Sequence, residues 1–433
     1  MHTPAAGTTG GSRDPADPLT VVIDARIKSA ESGGVEGILV GLAGSFSRLV
    51  DGPERYLFLG LEGSDEWLAP HLSGPARMVH QPRAGESGAT LWHAFRGAGS
   101  RAARRLGLAD PRSQRIRGPQ VDLFVEGLRP DVIHMPFQKG FLTTTPSIYH
   151  PHDLQHLHFP NFFSESVRAW RELWYRELCA QAAVVAVSSS WTRADVVGQY
   201  HLDPRKVVVV PLAPMTAAYS EPSHEAIRET AARLQLPASY LFYPAQTWRH
   251  KNHIALLEAL AVLRVERSLV VPIVFTGLEN EFAGRLRRLA EDLGVSDQVH
   301  WLGFISPPDL SVVYAMATAV VIPSLFESAS APLWEAFRAG VPAVCSNVTS
   351  LPEQAGDAAL LFNPLDRHEL VGAIERVLND DHLRARLIAA GKARVRSFTW
   401  DRTARVFRAH YRHVARRPLT DEDRSLREGA VGL

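Results

Sequence analysis

Cysteine is almost missing from this chain. Its 433 residues hold only Cys179 and Cys345, far apart and with no Cys-x-x-Cys neighbour. That excludes a disulfide framework and a cysteine metal site, and it fits a reducing cytosol. Lysine is nearly as scarce. Only Lys28, Lys139, Lys206, Lys251 and Lys392 occur among the 47 basic residues, the rest being arginine, so a lysine inside a tight motif stands out. Net charge is small, 47 basic residues against 46 acidic ones giving +1, which argues against a dedicated nucleic-acid binder. No run of about 18 apolar residues is present, so no membrane-crossing helix is expected. The start, MHTPAAGTTGGSRDPADP, carries Gly, Pro and Ser where a signal peptide needs an apolar core, and residues 1–18 read as a disordered lead. The expected location is the cytoplasm, with at most peripheral contact at the inner membrane face. A G-x-G-x-x-G after a first strand is also missing, which counts against a nicotinamide dehydrogenase.

What is present is a rhythm of short β-branched runs and longer helical stretches. The runs begin at Leu19, Tyr56, Asp131, Pro146, Ala183 and Lys206, and again at Tyr240, Val270, Val299, Ala319, Pro342 and Ala358. Strands alternating with helices predict parallel sheets covered on both faces. A proline-rich stretch centred near Pro214 divides the two series. The expected class is therefore α/β. Residues 19–213 and 214–398 form two Rossmann-like doubly wound domains facing an interdomain cleft, 399–416 a closing helix packing back toward the first domain, and 417–433 a tail. Ligands of such sheets bind beyond the carboxyl ends of the strands.

Two segments of the second half carry the strongest chemistry. After the strand YLFYPAQ comes TWRHKNH, which sets Arg249 and Lys251 just before a helix starting near Asn252. Two cations beside the free N–H groups of a helix start suit a diphosphate, although an isolated Arg-x-Lys is also an ordinary solvated surface pair. The second segment, FESASAPLWEAFRAGVPAVCS, places Glu327 at the end of a strand and Glu335 early in the next helix. Each carboxylate can accept two hydroxyl hydrogen bonds from a sugar diol. Pro332 fits the first helical turn, leaving nearby N–H groups aimed at the ligand. The bland alternative is two acids favoured by a helix dipole.

Together these segments resemble the retaining family-four glycosyltransferases of the GT-B fold. The resemblance covers nearly the whole second domain, including LGFISPPDLSVVYAMATAVVIPSLFE and SNVTSLPEQAGDAALLFNPLD. It implies that Arg249 and Lys251 hold the donor diphosphate, that Glu327 faces the donor sugar and that Glu335 meets the ribose hydroxyls, with Ser330, Ala331, Pro332 and Leu333 completing the donor site. The family has glycines near Ser328 and Ser330, so serine there bears on donor choice. In the first domain Gly33 and Gly34 match the family's glycine pair. The segment PSIYHPHDLQHLHFPNFFS resembles its His-Asp segment, which implies a place for His152 beside the reacting sugar; Asp153 is expected to orient the loop.

The implied activity is transfer of a sugar, with retention, from a nucleotide-diphosphate donor to a hydroxyl acceptor on a glycan, a lipid-linked sugar or a small molecule. No metal and no other cofactor are expected, and the oligomeric state is left open. The HDLQHLHFPNFFS segment looks most like mannosyl- and rhamnosyl-type members, making GDP-mannose the first donor to consider. A sugar-nucleotide epimerase or glycosyl phosphorylase on the same fold stays open. So does, remotely, a metal-dependent hydrolase using His150, His152, His156 and His158. Two further features read as bland: the arginine-rich stretch Arg96–Arg117 as a solvated helix face rather than a lipid or acceptor contact, and Asp421-Glu422-Asp423 as a chance Asp-x-Asp in a disordered end.

Overall fold

The computed structural model describes residues 17–27, 34–63, 66–82, 116–214 and 221–429. Two all-parallel sheets organise them. The first has the order β3-β2-β1-β4-β5-β6-β7, built from β1 Thr20–Asp24, β2 Arg55–Leu61, β3 Ala76–Gln81, β4 Val132–Met135, β5 Ser147–Tyr149, β6 Val184–Val187 and β7 Val207–Val209. The second runs β10-β9-β8-β11-β12-β13, from β8 Leu241–Pro244, β9 Ile273–Thr276, β10 Val299–Trp301, β11 Ala319–Ile322, β12 Ala343–Ser346 and β13 Ala359–Phe362. Central strands such as Val184–Val187 and Ala319–Ile322 are buried throughout, which explains their unbroken apolar sequence: a sheet covered on both faces has no polar side.

Twelve of these strands coincide with the runs read from sequence. The thirteenth, β3, was not legible, because an edge strand of composition ARMVHQ is largely solvent-facing and lacks an apolar signature. In both sheets the strand order reverses beside the first strand, where β1 neighbours β4 and β8 neighbours β11, each pair parallel. A crevice opens at the carboxyl ends of such neighbours, so loops after β1, β4, β8 and β11 are where ligand chemistry belongs.

The helix Trp400–Val414 follows the second sheet in sequence yet packs on the first domain's core through Trp400, Ala404, Phe407 and Tyr411. Charge fixes it there. Arg408, 2% exposed, meets Asp51 at 2.5 Å, and Arg412 meets Glu54 at 2.6 Å and Asp423 at 2.9 Å. Asp423 belongs to a helix, Asp421–Gly429. The tail expected to be disordered is therefore ordered over that span, and its Asp-x-Asp is spent on arginines: Asp423 on Arg412, Asp421 on Arg424, with Glu422 on Arg405.

Contacts also join the two domains along the cleft. The Glu353 carboxylate accepts from the N–H groups of Ser190, at 2.9 Å, and Trp191, at 3.2 Å, which open the helix Ser190–Tyr200. Phe326 of the second domain is buried against His158, Phe159 and Trp191 of the first. No helix among the described residues is long and apolar enough to cross a membrane. Arg96–Arg115 and Gly33 lie outside the described residues.

Candidate functional site

At the β8–β11 reversal the two sequence motifs touch. The chain leaves β8 through Thr247, whose hydroxyl is tied to Asn280, and makes a tight 3-10 turn, Arg249–Lys251. Asn252 follows in the left-handed conformation at φ 56° and donates its amide to Pro323 O. The helix His253–Arg267 begins directly afterwards. This geometry explains the sequence locally: asparagine tolerates positive φ better than most residues and ties the turn to the loop after β11.

That loop carries Glu327. It does not end the strand, as the sequence suggested, but sits five residues beyond Ile322. Its Oε1 accepts from Lys251 Nζ at 2.6 Å and from the Ser324 hydroxyl at 2.6 Å. Tyr243 OH lies 2.9 Å from Ser324 Oγ and donates to Lys251 O, also at 2.9 Å. The Thr349 and Ser350 hydroxyls both donate to Glu327 O. Both bonds to the carboxylate fall on Oε1, and among the described residues no hydrogen bond reaches Oε2. Lys251 has spent one of its three donors.

Glu335 is the fifth residue of the helix Ala331–Ala339 and is nearly fully buried. Its Oε2 accepts from Tyr314 OH at 2.7 Å. Burial pushes its pKa up, and the tyrosine hydrogen bond works against that shift. Glu335 thus also has one oxygen committed to the protein, which narrows the two-bond acceptance expected of each carboxylate.

The helix start is more occupied than sequence implied. The Ser330 N–H donates to Gln354 Oε1 at 2.8 Å and its carbonyl accepts from Gln354 Nε2, so this amide is not aimed at a ligand. Ser330 gives no side-chain cap, Pro332 has no N–H, and the first-turn amides of Ala331 and Leu333 have no intrahelical acceptor. Ser328 lines a small interdomain cavity with Ser188, Ser189, Glu353 and Arg394. The Arg249 guanidinium lies 5.7 Å from the centroid of the Phe282 ring. Between the two cations, burial and then the Lys251 charge hold the His250 imidazole down to about 2, and His253 is held down to about 3.

Across the cleft, His152 stands beyond β5 at φ 63°, its Nε2 2.9 Å from Pro136 O just after β4. That bond selects the tautomer with the proton on Nε2 and leaves Nδ1 as an acceptor. Burial lowers its pKa, opposed by the Pro136 bond and by Asp153. Asp153 orients the loop, as expected, accepting from Gln155 N at 2.9 Å. Gly34 opens the helix Gly34–Arg48, with open space where a side chain would stand, so packing does not demand glycine there.

The four clustered histidines do not converge. His152 turns to Pro136, His156 to Glu172 and His158 to Asp195, while His150 is buried against Phe407. Among the described residues no group of His, Cys, Asp or Glu side chains could hold a metal ion, so the His-ligated hydrolase reading has no site there. Sequence reasoning missed Tyr243, Ser324 and Tyr314, which are recognisable only once β8, β11 and the helix Pro307–Met316 are folded together.

With this geometry in hand, comparison with known proteins is specific. Residues 230–394 match the family model "Glycosyl transferases group 1" and residues 78–213 match "Glycosyltransferase Family 4". The O-antigen chain mannosyltransferase B of Escherichia coli is 28% identical over 274 residues, 61% of this chain and 72% of that protein. The serotype-specific mannosyltransferase WbdA of Escherichia coli is 33% identical over 184 residues, 42% of this chain but only 23% of its own length. Among solved structures, a glycosyltransferase from Rickettsia africae superposes with a TM-score of 0.66 at 12% identity, covering 93% of this chain and all of that one. Anabaena HepE, solved with UDP and glucose, superposes at 0.64 with 17% identity, covering 90% and 99%.

Proposed function

Because this chain belongs to the family 4 glycosyltransferases of the GT-B fold, we propose that it moves a sugar, with retention, from a nucleotide-diphosphate donor to a hydroxyl acceptor on a glycan, a lipid-linked sugar or a small molecule. The observation that carries this reading is the contact of Lys251 with Glu327 at the β8–β11 reversal. It joins a diphosphate-type cation turn to a sugar-type carboxylate at the place where a doubly wound sheet takes its ligand. GDP-mannose is the first donor to test, given the mannosyltransferases among the relatives.

In this mechanism the bond from the anomeric carbon to the diphosphate breaks, and negative charge gathers on the leaving phosphate. Arg249, Lys251 and the first-turn amides of Ala331 and Leu333 stabilise that charge in place of a metal ion. Oε2 of Glu327 accepts from a donor-sugar hydroxyl, and the free oxygen of Glu335 accepts from the ribose. His152 meets the sugar from the opposite domain. The acceptor hydroxyl attacks the face the diphosphate leaves, and its proton passes to the departing phosphate oxygen. NMR of the fresh product, made from GDP-mannose in excess EDTA, should show the donor's anomeric configuration. An inverted linkage would contradict the retaining mechanism, and complete loss of activity in EDTA would contradict the metal-free one.

A further inference from the structure

Beyond the cations of the donor turn, the first domain holds two more on the helix Glu165–Gln181. Arg168 and Arg171 are three residues apart and so share one helix face. Other arginines nearby have partners: Arg176 is bound to Glu172 at 2.5 Å, and Arg193 donates to Val207 O and Pro204 O. Arg168 Nε and Arg171 Nη1 are different, both buried and without a hydrogen-bond partner. Arg171 Nη1 does form an ion pair with Asp153 Oδ1, but at 3.7 Å it is longer than a hydrogen bond, and the same carboxylate oxygen already accepts from Gln155 N. The guanidinium is instead held by rings, 4.7 Å from the centroid of Phe163 and 5.9 Å from that of Tyr175.

Its position is informative. Asp153 is the neighbour of His152, and the Arg171 charge helps to hold His250 of the second domain neutral from across the cleft. About a fifth of the Arg171 side chain is open to solvent. Two like charges on one helix face repel each other, and a buried N–H without an acceptor costs about 1–3 kcal/mol. An anionic ligand accepting from Arg171 would supply the missing acceptor and screen the repulsion between the two cations.

We propose that Arg171, assisted by Arg168, is an anion-binding site on the first-domain wall of the cleft, distinct from the Arg249–Lys251 turn, and that it takes an acidic group of the acceptor, a phosphate or a carboxylate. The acceptor is then a charged molecule or chain end. Assigning the anion to the acceptor rests on the donor reading given above.

Inorganic phosphate is the probe, titrated into the full chain with and without saturating GDP and followed by phosphorus NMR. The wild type should bind phosphate even when GDP fills the donor site. Arg171→Gln should weaken that binding about tenfold, the loss of one charge-assisted hydrogen bond, whereas Arg171→Lys should retain most of it. Under saturating GDP, Lys251→Ala should leave it unchanged, and thermal melts should show all variants folded. Phosphate binding that is absent from the wild type, insensitive to Arg171→Gln, or abolished by GDP or by Lys251→Ala would overturn the proposal. So would a comparable loss of GDP affinity in Arg171→Gln, because Arg171 would then be a donor contact. Should GDP itself fail to bind, the GDP-donor reading fails, yet the contrast between Arg171→Gln and Lys251→Ala still judges the phosphate site.

Discussion

Lys251 stands at the centre of the donor turn, and few side chains here have a role so dependent on one charge. Replacing it with alanine removes a preorganised cation from the leaving group and should lower turnover by about two to three powers of ten, with circular dichroism unchanged; near-normal turnover would remove the diphosphate assignment. Tyr314 tests Glu335 from the other side. Tyr314→Phe keeps the ring but loses the 2.7 Å bond to the carboxylate, and should weaken nucleoside diphosphate binding about tenfold while leaving Glu335→Gln little more to lose. Additive losses in the double variant would separate the two residues. His152→Ala should impair transfer more than nucleotide binding, since it comes from the opposite domain. The charged members of this site were legible in sequence because a rare lysine and a spaced glutamate pair lie within continuous segments. Ser324, Tyr243 and Tyr314 were not. Serine and tyrosine occur everywhere, and only strand pairing brings these three to the carboxylates.

At the level of elements, the closing helix makes the sharpest stability prediction. Arg412 lies between Glu54 and Asp423, all three side chains at most 9% exposed. Arg412→Met leaves two buried carboxylates without their cation and should cost about 3–5 kcal/mol, read as a lowered urea midpoint. A loss below about 1 kcal/mol would show that water already reaches the cluster. The helix itself was legible from TWDRTARVFRAHYRHV, but its ionic anchoring and the ordered helix after it were not. An acidic run such as Asp421-Glu422-Asp423 looks like a solvated tail until its arginine partners, 11 to 17 residues away or on the same turn, are brought beside it.

For the whole molecule, the buried imidazoles set the response to acid. His134, His253 and His410 are held neutral by burial, each down to about 3, whereas the unfolded chain takes up those protons near 6.5. Their contribution is complete above about pH 6.5 and is lost progressively as pH falls toward 3. The loss approaches about 1.4 kcal/mol per histidine per pH unit. Urea midpoints at pH 7.5, 6 and 5 should therefore fall steadily, and a flat profile would mean that these sites open to water.

The two-sheet architecture was readable in all strands but the edge strand β3 because parallel strands buried on both faces write their burial directly into sequence. The cleft was expected from the paired sheet edges, but the contacts that close it were not, since they use side chains such as Glu353 and Phe326 that give no sign of a partner until the domains meet. The most direct test of the central claim, that the β8–β11 crevice binds the donor diphosphate, is a calorimetric titration of GDP and UDP into the wild type and Lys251→Ala. The account predicts that at least one nucleotide binds the wild type in EDTA, and at least tenfold more weakly when Lys251 is removed. Equal affinity in the two proteins would contradict it.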